Sequence, residues 1–237
     1  MDSISEYRLE EVLRDRVAPA SCRCKHGLEA RAASLSVRDA AEKMPPHEKS
    51  HFVSRGGDKL DAALDHFGLE VAGLVCADFG SNVGGFVDCL LQRGAARVYA
   101  VDTSYGTLAW KLRKDPRVVV RERSNAMHVT LPERVSLVTI DAAWTRQSRV
   151  LPNALAQLAP GGWILTLIKP HYEAPPGSLV DGVLPDDQVS EVVNRTLASM
   201  ASTIASAELA TVGTFASPLR GQAGNCEVFA LLRRAPA

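Results

Sequence analysis

From Val71 onward the chain alternates short apolar runs with longer stretches in which apolar residues recur at helical spacing. Leu74 to Phe79, Arg97 to Val101, Val118 to Arg121, Val135 to Ile140 and Gly162 to Ile168 are short and apolar, as strands are when both faces are covered. Helical spacing marks Gly84 to Arg93, Tyr105 to Arg113 and Ser148 to Leu158, the last expected to stop at Pro160-Gly161-Gly162. A further helix is expected over Asp186 to Ala201. This alternation predicts β-α-β units and a mostly parallel sheet in an α/β fold. Two more strands, about Ser206 to Phe215 and Cys226 to Leu232, are joined only by the Pro218 to Gly224 loop. With no helix between them, they should pair antiparallel.

The first fifty residues break the pattern. They are polar and alanine-rich, with Arg8, Glu11 and Arg14 on a weak helical repeat and Pro45-Pro46 at the end. We read residues 1–50 as an appendage and 51–237 as one catalytic domain. A short helix packing on that domain suits the appendage better than a dedicated nucleic-acid arm, because its acidic and basic residues balance. The whole chain of 237 residues carries 27 basic and 27 acidic side chains, so its net charge does not advertise a polyanionic partner. The five cysteines, Cys22, Cys24, Cys76, Cys89 and Cys226, form no disulfide framework and read as reduced thiols. Cys22, Cys24 and His26 lack a second pair at zinc-finger spacing, so no metal is expected. No apolar run is long enough to span a bilayer, and Met1 to Ala20 is interrupted by acidic residues, which together predict a cytoplasmic protein.

Candidate chemistry begins where the first strand runs into Asp78-Phe79-Gly80-Ser81-Asn82-Val83-Gly84-Gly85-Phe86. Glycines let the chain turn sharply and let a ligand approach the backbone, although any tight strand-to-helix turn needs them too. The next strand ends at Asp102-Thr103, where a carboxylate can accept both hydroxyls of a ribose or, alternatively, cap a helix. The dinucleotide pattern G-x-G-x-x-G fails at Asn82, which disfavours NAD and FAD. An acid followed by G-x-x-x-G-G suits a nucleoside ligand with a charged amino-acid end and no pyrophosphate, as in S-adenosylmethionine. Asn125, after the third strand, is a candidate for the adenine and equally a loop-capping residue.

Ser54-Arg55-Gly56-Gly57-Asp58-Lys59-Leu60, the run Asp78 to Phe86 with Asp88-Cys89-Leu90-Leu91-Gln92, and Val98-Tyr99-Ala100-Val101-Asp102 resemble the TlyA family of FtsJ-like ribosomal RNA methyltransferases. The resemblance continues through Tyr105 to Arg113, Leu167-Ile168-Lys169-Pro170, Ser217-Pro218-Leu219 and Gly224-Asn225-Cys226-Glu227. It implies a doubly wound, Rossmann-like seven-stranded methyltransferase sheet with a reversed final strand, S-adenosylmethionine as donor, and a ribose 2′-hydroxyl of RNA as acceptor. It also implies a Lys-Asp-Lys-Glu tetrad, which falls on Lys59, Asp141, Lys169 and Glu227. The candidate cofactor residues are Asp78, Gly80, Ser81, Asn82, Gly84, Gly85, Phe86, Asp102, Thr103, Asn125 and Asp141. Two departures stand out. Met1 to Pro46 lacks the arginine-led pattern of an S4-type RNA-binding domain, and Asp141 is followed by Ala142-Ala143-Trp144 where a small polar residue and an aromatic are usual.

Deprotonating an alcohol with a lysine requires that lysine to be neutral. Placing Lys59 beside Lys169 would disfavour double protonation and free Lys169 to act as base. Trp144, His171 and Tyr172 fall on the expected rim, either to stack on an unpaired base or to pack locally. Arg55, Arg113, Lys114, Arg117, Arg121 and Arg123 either touch phosphates or form ordinary charged faces. The leading function is RNA methylation. A small-molecule or protein acceptor is the alternative, and a non-catalytic cofactor- or partner-binding member is the third.

Overall fold

The computed structural model describes residues 50–143, 145–203 and 209–235. The expected appendage, including Cys22, Cys24 and His26, therefore lies outside the described residues, as do Trp144 and residues 204–208. In chain order the elements are α1 (Arg55–Phe67), β1 (Val75–Phe79), α2 (Gly85–Gln92), β2 (Arg97–Val101), α3 (Trp110–Arg113), β3 (Val118–Arg121), β4 (Val135–Ile140), α4 (Gln147–Gln157), β5 (Leu158–Ile168), α5 (Pro170–Glu173), α6 (Asp186–Thr203), β6 (Leu209–Ala216) and β7 (Val228–Arg234).

The strands form one sheet in the order β3-β2-β1-β4-β5-β7-β6. All pairs from β3 to β5 are parallel, and β7 runs antiparallel to both β5 and β6, so the expected reversed final strand is present. The chain winds outward from β1 in one direction and from β4 in the other. Where two such windings diverge, the loops at the carboxyl ends of the strands leave a crevice. Here that crevice opens between Gly80 and Asp141, the residues that follow β1 and β4.

Each face of the sheet is buried. One face packs Leu60, Ala63 and Leu64 of α1 and Val87 and Leu90 of α2 against Cys76, Leu137, Leu165 and Phe229. The other packs Val150, Leu151 and Ala154 of α4 and Val189, Val192 and Val193 of α6 against Phe79, Val138, Ile140 and Ile164. Removing this apolar area from water is the main favourable term in the fold.

Helix α1 is absent from the pattern-based expectation, although Leu60, Ala63, Leu64 and Phe67 hold helical spacing ahead of Gly68. Gly68 ends the helix at φ 59°, with its N–H donating to Asp65 O and that of Leu69 donating to Leu64 O. The helix expected over Tyr105 to Arg113 shortens to Trp110–Arg113. Gly106 sits at φ 74°, and residues 105–109 instead fold over the glycine turn, where Ala109 N donates to Val83 O. The stop expected at Pro160-Gly161-Gly162 is also displaced. β5 begins at Leu158 and passes through these residues, with a register shift against β4 and Gly161 at φ 72° absorbing the irregularity. Cys226 and Glu227 precede β7 rather than lying within it. No described helix is long and apolar enough to cross a membrane.

Candidate active site

The turn after β1 is held by backbone bonds from Gly80 N and Ser81 N to Val101 O, at 2.8 and 3.1 Å, and from Gly84 N to Ser81 O at 2.7 Å. Gly80 has φ 93°, and a Cβ there would sit 2.5 Å from the Asp141 carbonyl oxygen. The turn therefore depends on glycine for both conformation and space. Gly80→Ala is expected to weaken S-adenosylmethionine binding by at least about tenfold and lower stability by about 1–3 kcal/mol, read by calorimetric titration and denaturant unfolding. Gly84 at φ 102° seats Leu108 and Leu112, and Gly85 brings the start of α2 against Ser54 and Gly57 at the start of α1. Phe86 is buried and stacks on Phe229, so it joins the core as well as the cleft wall.

Asp102 bonds both neighbouring loops. One oxygen accepts from Asn82 N and the other from Ser104 N, each at 2.7 Å. No helix starts directly after it, so its capping role is to a turn rather than to a helix. Asp102, Thr103 and Asn125 line a cavity of about 310 Å³ with Gly80, Asn82 and Asp141. Asn125 also caps its own loop, its Oδ1 accepting from Met127 N at 2.9 Å. The loop-capping reading of Asn125 is thus observed, in a residue that also lines the cavity.

A larger cleft of about 720 Å³ adjoins this cavity, sharing Gly80, Asn82, Asp141 and Lys169 with it. Its floor contains Asp78, fully buried at the end of β1. Asp78 Oδ1 accepts from Thr139 Oγ1 at 2.7 Å, whereas the buried Oδ2, like the nearby Ser81 Oγ, has no hydrogen-bond partner among the described residues. Burial pushes the Asp78 carboxyl up to about 8, against the pull of Thr139 and with the charges of Asp141 and Asp102 adding to the rise. Orphaned buried polar atoms beside a cleft fit a ligand that brings donors, such as the ammonium of an amino acid.

Lys59 of α1, Asp141 after β4, Lys169 after β5 and Glu227 before β7 all line this cleft, on the same side as the glycine turn. They form two ion pairs. Lys59 Nζ donates to Glu227 Oε2 at 2.6 Å, and Lys169 Nζ lies 2.5 Å from Asp141 Oδ1. Each ammonium thus has its own carboxylate, and the expected lysine-lysine repulsion does not set the protonation of Lys169. Burial alone would lower the Lys169 pKa, but attraction to Asp141, reinforced by Glu227 and Tyr172, raises it above the usual lysine value. His171, at the cleft wall, is shifted the other way by burial and by the Lys169 charge, which favour its neutral form.

The candidate basic residues divide. Arg113 pairs with Glu122, Arg117 with Asp115 at 2.7 Å, and Arg55 donates to Arg220 O at 2.6 Å. Lys114 and Arg123 instead lie 5.0 and 4.2 Å from the ring centroids of Trp110 and Tyr105. Trp110 and Tyr105 are 68% and 71% exposed, a surface that the sequence analysis did not assign. The i, i+4 spacing of Trp110 and Lys114 was the available signal. Ser54, Arg55, Gly221, Gln222 and Ala223 were likewise not assigned to the cleft, yet they line it.

Residues 52–234 match the model for FtsJ-like methyltransferases. The chain is 43% identical over 187 residues to the 16S/23S rRNA (cytidine-2'-O)-methyltransferase TlyA of Mycobacterium tuberculosis, covering 77% of this chain and 68% of that relative. It is 32% identical over 216 residues to hemolysin A of Brachyspira hyodysenteriae, with 89% and 88% covered. Among solved structures, a candidate hemolysin of Lactococcus lactis superposes with a TM-score of 0.73 at 36% identity, covering 78% of this chain and 89% of that one. With the model spanning most of its length and these relatives alike in sequence and fold, the chain belongs to the FtsJ-like methyltransferase family.

Proposed function

We propose that this chain transfers a methyl group from S-adenosylmethionine to a ribose 2′-hydroxyl of RNA, with ribosomal RNA as the substrate and the cytoplasm as the place of action. The observation that carries the reading is the pair of Lys–carboxylate contacts, Lys169 with Asp141 and Lys59 with Glu227, in a cleft continuous with the cavity at the glycine turn. The rRNA methyltransferase TlyA of Mycobacterium tuberculosis, 43% identical, supports RNA as the acceptor. The catalytic unit is residues 51–237, with residues 1–50 an appendage to it.

Asp78, Gly80, Ser81, Asn82, Gly84, Gly85 and Phe86 hold the amino-acid end of the donor, and Asp102, Thr103 and Asn125 hold its ribose and adenine. When bound, the donor supplies an electrophilic methyl carbon. Lys169 Nζ takes the proton of the acceptor hydroxyl, and Asp141 fixes the direction of that amine. Lys59 and Glu227 position the acceptor ribose. Alignment of the hydroxyl supplies most of the acceleration, because little else must be assembled once both substrates are held. Since Asp141 and Glu227 favour protonated Lys169, the reactive amine is a minor form at neutral pH and turnover should rise with pH.

The test is transfer of a tritiated methyl group from S-adenosylmethionine to ribosomal subunits, compared with transfer to a metabolite extract and to protein. Nuclease digestion should return the label in a 2′-O-methylnucleoside. Label confined to metabolites or protein would replace the RNA reading, and cofactor binding without label anywhere would refute catalysis.

A further inference from the structure

We infer that Asn225 is a positioning residue: it locks the β6–β7 loop to the segment before α6 and so holds the Glu227 carboxylate against Lys59. The role in methyl transfer rests on the function proposed above, but the interlock itself is a matter of geometry.

Glu227 lies just outside β7, where the sheet no longer fixes its backbone on both sides. Its carbonyl accepts from Ser217 N at 2.9 Å, which ties the two ends of the loop together. Within the loop, Gly221 N donates to Asn225 O and Gly224 N donates to Gly221 O, both at 2.9 Å. The loop packs directly on the carboxylate, since a Cβ on Gly221 would stand 2.7 Å from Glu227 Oε1. Any slip of the loop would therefore move the group that receives Lys59.

Asn225 is what anchors this loop to the body. Its side chain is 2% exposed and reaches more than forty positions back along the chain. Oδ1 accepts from Leu184 N at 2.9 Å and Nδ2 donates to Gly182 O at 3.0 Å. Leu184 is itself buried in the core beside α6, so this end of the anchor belongs to the packed body of the domain. The site demands one acceptor and one donor from a single short side chain, a pattern that Asn satisfies and an ionised Asp does not. A second tie runs outside it, where Arg220 pairs with Asp186 at the start of α6 at 2.7 Å and donates to Gly224 O at 3.0 Å. That tie is exposed and contributes less.

The substitution Asn225→Asp keeps the shape of the site but sets a carboxylate oxygen against the Gly182 carbonyl, which turns one hydrogen bond into a repulsion. Its effect is read by trace acylation of lysines followed by mass spectrometry, with Lys114 as the exposed reference. This readout needs neither donor nor RNA, so it stays informative if the acceptor proves not to be RNA. Lys59 should react slowly in the wild-type chain and about tenfold faster in E227Q, the scale of losing one charge-assisted hydrogen bond. N225D should raise Lys59 reactivity by a similar factor, and the double variant should exceed neither single one appreciably. Should N225D fail to fold, N225S carries the same comparison. Where methyl transfer is measurable, kcat should drop by about 10²-fold with the donor KM unchanged, as expected for a displaced positioning group. Slow Lys59 labelling in a folded Asn225 variant, or multiplicative effects of the two substitutions, would overturn the inference.

Discussion

Methyl transfer by Lys169→Met is expected to be about 10²- to 10⁴-fold slower than by the wild-type chain, the range for losing a general base, with S-adenosylmethionine affinity within about threefold. The argument starts from placement. Lys169 caps a core strand, is largely buried in the cleft and has Asp141 Oδ1 at 2.5 Å. Methionine keeps most of the length and apolar stem while removing the proton acceptor. Lys169→Arg separates base catalysis from simple charge, because a guanidinium stays protonated and cannot accept the proton. It should be as inactive as Lys169→Met. The pH profile adds an independent reading. Asp141, Glu227 and Tyr172 raise the Lys169 pKa against the opposing effect of burial, so the wild-type kcat should climb into the alkaline range. Glu227→Gln removes one of those charges and should move the inflection to lower pH, even if its maximal rate is reduced. Retention of more than a tenth of the wild-type rate by Lys169→Met would remove Lys169 from the role of base.

The parts of this molecule written in local chemistry were legible before any coordinates. Five parallel strands announced themselves as short apolar runs, and the glycine turn, Asp102 and the strand-end positions of Asp141 and Lys169 followed from them. The missing parts share a physical cause. Helix α1 carries two glycines and a buried lysine in its first half, which blur its apolar stripe even though Leu60, Ala63 and Leu64 are fully engaged in the core. Residues 105–109 continue the helical spacing of the segment, but Gly106 takes a positive φ and the stretch is drawn over the glycine turn by contacts with Val83 and Gly84. The protonation of Lys169 was the most consequential miss. A sequence places Lys59 and Lys169 near one another only through the fold, and which carboxylate each one chooses depends on side-chain reach across α1, β4, β5 and the β6–β7 loop. Proximity of two lysines alone pointed to a lowered pKa, whereas the carboxylates between them reverse the direction for Lys169.

Asp78→Asn should make the cofactor-free protein more stable than wild type at pH 8 by a few kcal/mol while weakening S-adenosylmethionine binding by about 10- to 100-fold. In the wild-type fold the Asp78 carboxyl is pushed up to about 8 by burial, from 3.8, and one of its oxygens has no hydrogen-bond partner among the described residues. Between those two values the native state holds a proton that the unfolded chain has released. The Asp78 contribution to stability should therefore fall as pH rises through that window and level off above about 8, the reverse of the behaviour of an ion-paired carboxylate. Asparagine has no proton to lose, so the difference between the two unfolding free energies should be small near pH 4 and grow steadily toward pH 8. Taking the difference cancels the other titrating groups, which are common to both chains. A donor with an ammonium group would supply the charge that the orphaned oxygen lacks. Saturating S-adenosylmethionine should then flatten the wild-type pH slope and leave that of Asp78→Asn unchanged. Denaturant unfolding at pH 5 and pH 8.5, with and without cofactor, measures all of this without any methyl acceptor. Parallel pH dependence in the two proteins would mean that Asp78 is already ionised in the empty cleft, and equal cofactor affinity would mean that its carboxylate does not meet the ligand.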